Sequence, residues 1–327
     1  MLEIFRKNLF INSLLLLPYT ILVRLAIFFY PQKYQVQESS NEIIKGLYSL
    51  IDFPVLQSII SVLLIFIHAI IINHTFIKHR LSREITLLPG LIYVVFVTVV
   101  MDFTVLSPAL LGNTFIIFAL TNLFKTYKLP NAAAFIFNAG FYIGVASLFY
   151  TPYVFMVFFG VIILLLLRSF KLLEKLQYFS GFFIPYIFLF TYRYMSDISL
   201  MDMSVLKEVF FRLPLFESNF LIVNYFSIGF ILLSVLVCIF NYGTLTGKKI
   251  IQVQKKVAVL YWILLYSLIS FLIFSTDGSM HLLTLAIPLS ILTGILISDS
   301  KSKISHELLH FMILGLILLT QFKLLVI

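Results

Sequence analysis

The amino-acid sequence predicts an all-α polytopic membrane protein. The expectation is one integral membrane domain over residues 1–327 with about eleven transmembrane helices, the N-terminus cytoplasmic, the C-terminus outside and an interfacial helix in the first outer loop. Three observations predict it. Apolar residues make up 61% of the chain and charged residues 11%, whereas soluble domains carry roughly 25% charge. The apolar residues fall in runs long enough to cross a bilayer core as helices of about 20 residues. Basic residues between the runs are dense on one side and sparse on the other. With 36 Phe, 17 Tyr, 13 Gly and a single Cys, disordered, collagen-like and disulfide-scaffold classes are excluded.

The first run, 9–30, follows Arg6 and Lys7 and has no small-residue cleavage site after it, so it reads as a retained anchor. Runs 54–76 and 86–106 come next, then 109–124, 129–150 and 153–167, with tight outer turns at Ser107-Pro108 and Thr151-Pro152. After 178–195 the chain continues with 220–241, 257–274, 281–298 and 308–325. Placing the N-terminus inside puts sixteen of the 23 Lys and Arg residues, from Arg6 to Lys303, in inner loops, because basic residues resist translocation. The net charge of +9 is therefore a topological bias that calls for no nucleic-acid partner. Clusters such as Lys248, Lys249, Lys255 and Lys256 can also meet anionic headgroups.

Only two loops exceed 20 residues, 31–53 and 196–219, and both fall outside. In the first, Ile43, Ile44, Leu47, Leu50 and Ile51 form a helical apolar stripe opposite Glu42, Lys45, Ser49 and Asp52. Ser39 or Ser40 can cap that helix, and Glu42 suits its first turn. A surface helix lying on the membrane is expected there. The second loop carries a similar stretch, Met203–Arg212, closed by Pro214.

Charges at membrane depth are costly and mark functional candidates. Here they are Arg24, Asp102 and Arg193, all in the outer third of their runs and able to share one outward cavity. The alternative is that both arginines snorkel to the headgroups and Asp102 merely ends its helix. Six His residues raise the question of a metal or haem, but His68 and His74 lie about 240° apart on a helix and His68 has no partner at matching depth in the sequence. No metal or cofactor is expected. Gly140 and Gly144 form a GxxxG pair and Asn113, Asn122 and Asn138 lie within runs, a pattern of close helix packing bridged by amides. Cys238 reads as lipid- or core-facing filler. There is no Walker A loop, dinucleotide fingerprint or zinc-protease motif. Pro18, Pro89, Pro185 and Pro288 show no symmetry between halves of the kind inverted-repeat transporters display.

The segments Ser107–Phe115, Phe137–Phe141, Ala146–Pro152 and Arg168-Ser169-Phe170 resemble those of an uncharacterised family of multi-pass bacterial inner-membrane proteins. A more distant architectural similarity is to the GT-C superfamily of polyprenyl-phosphate-dependent membrane glycosyltransferases, which carry interfacial helices and acids in their outer loops. That resemblance implies Asp102, Glu42 and Asp52 as catalytic carboxylates and Arg193 and Arg24 as ligands of a lipid phosphate, with a polyprenyl-phosphate-linked sugar as partner. A carboxylate would act as general base on an acceptor hydroxyl while a cation balances the phosphate. The chain departs from the pattern in lacking an Asp-Glu or Asp-x-Asp pair soon after the first run and a large C-terminal outer domain. The competing expectations are a non-catalytic subunit or scaffold working with other envelope membrane proteins, and a secondary transporter or flippase.

Overall fold

A computed structural model of the chain describes residues 2–34, 36, 42–197, 222–247, 249–273, 278–300 and 303–322. Among them there is no strand. The helices are α1 (Leu2–Arg6), α2 (Phe10–Val23), α3 (Ala26–Phe29), α4 (Glu42–Leu50), α5 (Pro54–Lys78), α6 (Leu88–Val99), α7 (Pro108–Lys125) and α8 (Ala133–Phe149). They continue with α9 (Met156–Leu167), α10 (Leu172–Met195), α11 (Ile222–Phe240), α12 (Tyr242–Thr246), α13 (Ile251–Ile273), α14 (Ala286–Asp299) and α15 (Lys303–Gln321). Among the described residues, five helical stretches are long and apolar enough to cross a bilayer: Pro54–Lys78, Pro108–Lys125, Ile251–Ile273, Met280–Asp299 and Ile304–Gln321. Shorter apolar helices accompany them, as expected of a membrane protein. The amphipathic stretch expected at 203–212 lies outside the described residues.

α6 is the centre of the bundle. All twelve of its residues are buried, because it is apolar on every face, and it packs against α5, α14, α15 and α2. The rim helices do the opposite: Phe10 of α2, Phe188 of α10 and Phe240 of α11 are 80%, 70% and 84% exposed, which in water would be costly and in lipid is not.

The GxxxG expectation is met by a specific neighbour. α8 and α10 form the most extensive helix pair, and a Cβ on Gly140 would lie 2.0 Å from the Tyr178 carbonyl oxygen, one on Gly144 2.4 Å from that of Phe182 and one on Gly181 2.2 Å from that of Phe137. Only hydrogen at these three positions lets the backbones come so close. Asn113 does bridge elements, accepting the Tyr153 hydroxyl at 2.7 Å. Asn122 instead donates back to the Phe118 carbonyl of its own helix at 2.8 Å, which removes it as a bridge. Cys238 is fully buried and faces the core.

The first run does not form one continuous helix. α2 ends at Val23 and α3 starts at Ala26, with Arg24 as the C-cap between them. The break lets the Arg24 side chain enter the bundle, where acceptors await it, instead of running along a lipid-facing stripe.

Candidate functional site

Arg24 has no exposed surface, so the snorkelling alternative does not hold for it. Its Nη1 donates to Ser61 Oγ on α5 at 2.8 Å and its Nη2 to the Phe103 carbonyl at 2.7 Å. Ser61 Oγ in turn donates to the Thr104 carbonyl at 3.3 Å. Phe103 and Thr104 belong to a 3-10 turn, Met101–Thr104, that follows α6 and carries Asp102. A buried cation and a serine thus hold two consecutive carbonyls of the turn on which the leading carboxylate candidate sits. Arg24 Nε has no hydrogen-bond partner, and the guanidinium forms no ion pair among the described residues. Such a group is expensive to bury and raises the expectation of function.

Glu42 and Arg193, expected as carboxylate base and phosphate ligand, are partners of each other. Arg193 Nε and Nη2 both donate to Glu42 Oε2, at 3.1 and 2.9 Å. Partial burial works to raise the Glu42 carboxyl, but its backbone hydrogen bond, the Arg193 contact and Lys45 outweigh that and hold it below the usual carboxylate range. The pair ties the start of α4 to the end of α10. At its other end α4 is held by Tyr48, whose hydroxyl donates to the Leu106 carbonyl at 2.6 Å, two residues past the Asp102 turn. The buried face of α4 is centred on Ile44 and Tyr48, while Leu50, placed on the apolar stripe by the sequence, is 84% exposed. α4 therefore spans from Arg193 to the segment beside Asp102 as a brace.

Asp52 is elsewhere in this arrangement: it pairs with Lys33, and both side chains are largely exposed. Gln57 fixes the same loop, accepting the Tyr34 N–H at 3.1 Å and donating to the Ile51 carbonyl at 2.8 Å. Of the five residues named from the sequence, Asp102 and Arg24 share one backbone turn, Glu42 and Arg193 form one ion pair, and Asp52 belongs to a surface pair.

A second polar set was not foreseen. His68, fully buried on α5, lies between the Tyr93 hydroxyl of α6 and the Thr114 hydroxyl of α7, each at 2.8 Å. The Tyr153 hydroxyl donates to Asn113 and lies 2.9 Å from Thr284 Oγ1, and the Tyr150 hydroxyl lies 2.7 Å from His281 Nδ1. These groups hydrogen-bond one another across α5, α6, α7 and the turns at Thr151–Phe155 and Gly278–Leu285, with only the Asn113 Nδ2 of this set left without a partner. One partner per helix leaves no spacing in the sequence to find them by. Among the described residues no three His, Cys, Asp or Glu side chains gather as a metal site.

The ion pair gives a testable pH response. Because the folded Glu42 carboxyl titrates below its unfolded value, its contribution is present above the usual carboxylate range and is lost as pH falls through the folded value. Hydrogen exchange over 42–50, corrected for intrinsic rates, should rise in that acid window. Glu42→Gln should show the same fast exchange already at neutral pH, and equal protection in the two proteins would contradict the brace. No family model, curated protein or solved structure matches the chain.

Proposed function

We propose that the chain is a cytoplasmic-membrane protein of about eleven spans, N-terminus inside and C-terminus outside, that acts at its outer face as a GT-C-like glycosyltransferase on a polyprenyl-phosphate-linked sugar. Asp102 is the general base in this reading. The observation that carries it is the pinning of the Asp102 turn by fully buried Arg24 and Ser61, since a base must be held on a rigid support to meet the acceptor hydroxyl. The turn after α6 meets α5 at Ser61, seven residues in from the start of that helix at Pro54, so it lies about 10 Å short of the end of α5. A carboxylate there can meet an amphiphilic substrate at the bilayer boundary. Glu42 and Arg193 serve as the brace that fixes α4 over this region, in place of direct roles as base and phosphate ligand. Asp52 has no part in the chemistry.

The test compares lipid-linked sugars and surface glycans by mass spectrometry in a deletion strain, its parent and an Asp102→Asn complement. Loss of one defined sugar step in both the deletion and the Asn strain, with protein level unchanged, is the expected result. Accumulated lipid-linked precursor of normal composition would assign a flippase instead. Normal glycans in the deletion strain, with another envelope defect rescued equally by wild type and Asp102→Asn, would replace the enzyme with a scaffold.

A further inference from the structure

The lysine-rich end of the bundle holds a cleft of about 280 Å³ between the start of α2 and the end of α5. Its polar lining consists of donors or neutral groups: Asn8, Ser13, Asn73, His74 and Lys78, with no carboxylate among them. Asn73 is 97% buried by its 3% exposure. Its Oδ1 accepts the Gly90 N–H at 2.7 Å, and its Nδ2 has no partner. The Asn73 amide itself packs against Gly90 of α6, so the groups that face the cleft are Asn8, Ser13, His74 and Lys78, an ammonium and an imidazole beside neutral side chains with no carboxylate to balance them.

The charge around it has the same sign. His79, the residue after Lys78, accepts the buried Lys256 ammonium on Nδ1 at 2.8 Å. Burial first, and then Lys256, Lys78 and Lys125, push the His79 imidazole down to about 3, so it stays neutral and able to accept. None of these lysines forms an ion pair among the described residues, unlike Lys249, which pairs with Asp299 at 2.6 Å. A topological bias explains lysines that reach water, but not one such as Lys256 with no exposed surface.

The cleft also has a direction. Residues 63, 67, 70, 74 and 78 follow one face of α5, and on it Leu63, Ile67 and Ile70 are 45%, 45% and 38% exposed below His74 and Lys78. A cationic head position that continues into an apolar track along α5 matches an amphiphile whose phosphate is at the boundary and whose chain lies in the bilayer.

We infer that this cleft binds the phosphate of an anionic phospholipid, with Lys78, His74 and the Asn8 amide around the headgroup and the acyl chain along Ile70, Ile67 and Leu63. The site is independent of the glycosyltransferase reading, being at the opposite end of α5 from Ser61 and the Asp102 turn.

The full-length protein, purified in detergent, is mixed with phosphatidylglycerol, with phosphatidylcholine or with inorganic phosphate, and followed by native mass spectrometry and thermal melting. Phosphatidylglycerol should be retained and should raise the melting temperature where equal phosphatidylcholine does not. Lys78→Gln should weaken retention roughly fivefold, the effect of removing one lysine from an anionic lipid surface. Asn8→Ala, at an exposed position, should weaken it too without affecting the fold. Lys171→Gln, an exposed lysine away from the cleft, should leave it unchanged. A response to millimolar inorganic phosphate alone, abolished by Lys78→Gln, would keep the phosphate site and assign free phosphate in place of the lipid. Equal retention in Lys78→Gln and wild type, or an equal loss in Lys171→Gln, would overturn the proposal.

Discussion

Gly140→Leu should prevent the protein from accumulating, and even Gly140→Ala should lower its melting temperature by roughly 5–10 °C. The reason is geometric. A Cβ at this position would lie 2.0 Å from the Tyr178 carbonyl oxygen, and backbone, unlike a flexible side-chain tip, cannot move aside without parting α8 from α10. Overpacking a tight interface by one methyl costs about 1–3 kcal/mol, and here the displaced contact runs on through Gly144 and Gly181. Gly229 of α11 provides the control, since nothing lies within 4 Å of a Cβ built there. Gly229→Ala should be neutral or gain a little through helix propensity. If Gly140→Ala melts with wild type, the close approach is not what holds the two helices together.

Arg24→Met should cost function more than stability. The substitution removes a buried cation that has no ion pair among the described residues and leaves an apolar chain of similar length, an exchange that is often neutral in folded proteins. Against that gain, Ser61 Oγ and the Phe103 carbonyl each lose a donor, worth about 1–3 kcal/mol together. Melting should therefore shift by only a few degrees, whereas the glycan step that the deletion removes should be lost as fully as in Asp102→Asn. Arg24→Lys, which keeps the charge but cannot serve both acceptors with a planar fork, should recover part of it. A purely structural Arg24 would give the reverse pattern, with the glycan signal falling only in proportion to the amount of folded protein.

The helical, membrane-embedded character of the chain was legible because it depends on runs of apolar residues, which are local. The surface helix at 42–50 was legible for the same reason, although its buried face turned out to be Ile44 and Tyr48 and not the whole stripe. Gly140 and Gly144 announced a close contact without naming α10 as the partner. The pairings escaped, because they depend on which helices become neighbours. Glu42 and Arg193 are 151 residues apart in the chain and His68 is 46 from Thr114, and neither separation carries a periodic signal. Arg24 was recognised as costly from its depth alone, but its inward turn required a helix break that the unbroken apolar run 9–30 did not show.

α6 has no side chain facing the lipid, and this frees it from a constraint that governs its neighbours. A helix in contact with acyl chains must match their thickness or tilt, at a cost of fractions of a kcal/mol per Å of mismatch. α6, at about 18 Å, would be badly mismatched to a core of about 30 Å if it met one, yet it meets only protein. Thinner or thicker bilayers therefore act on the rim, on α2, α10, α11 and α15, and leave the central pillar and the Asp102 turn at its end in the same place. The protein can be moved between membranes of different composition with the geometry around the Asp102 turn preserved.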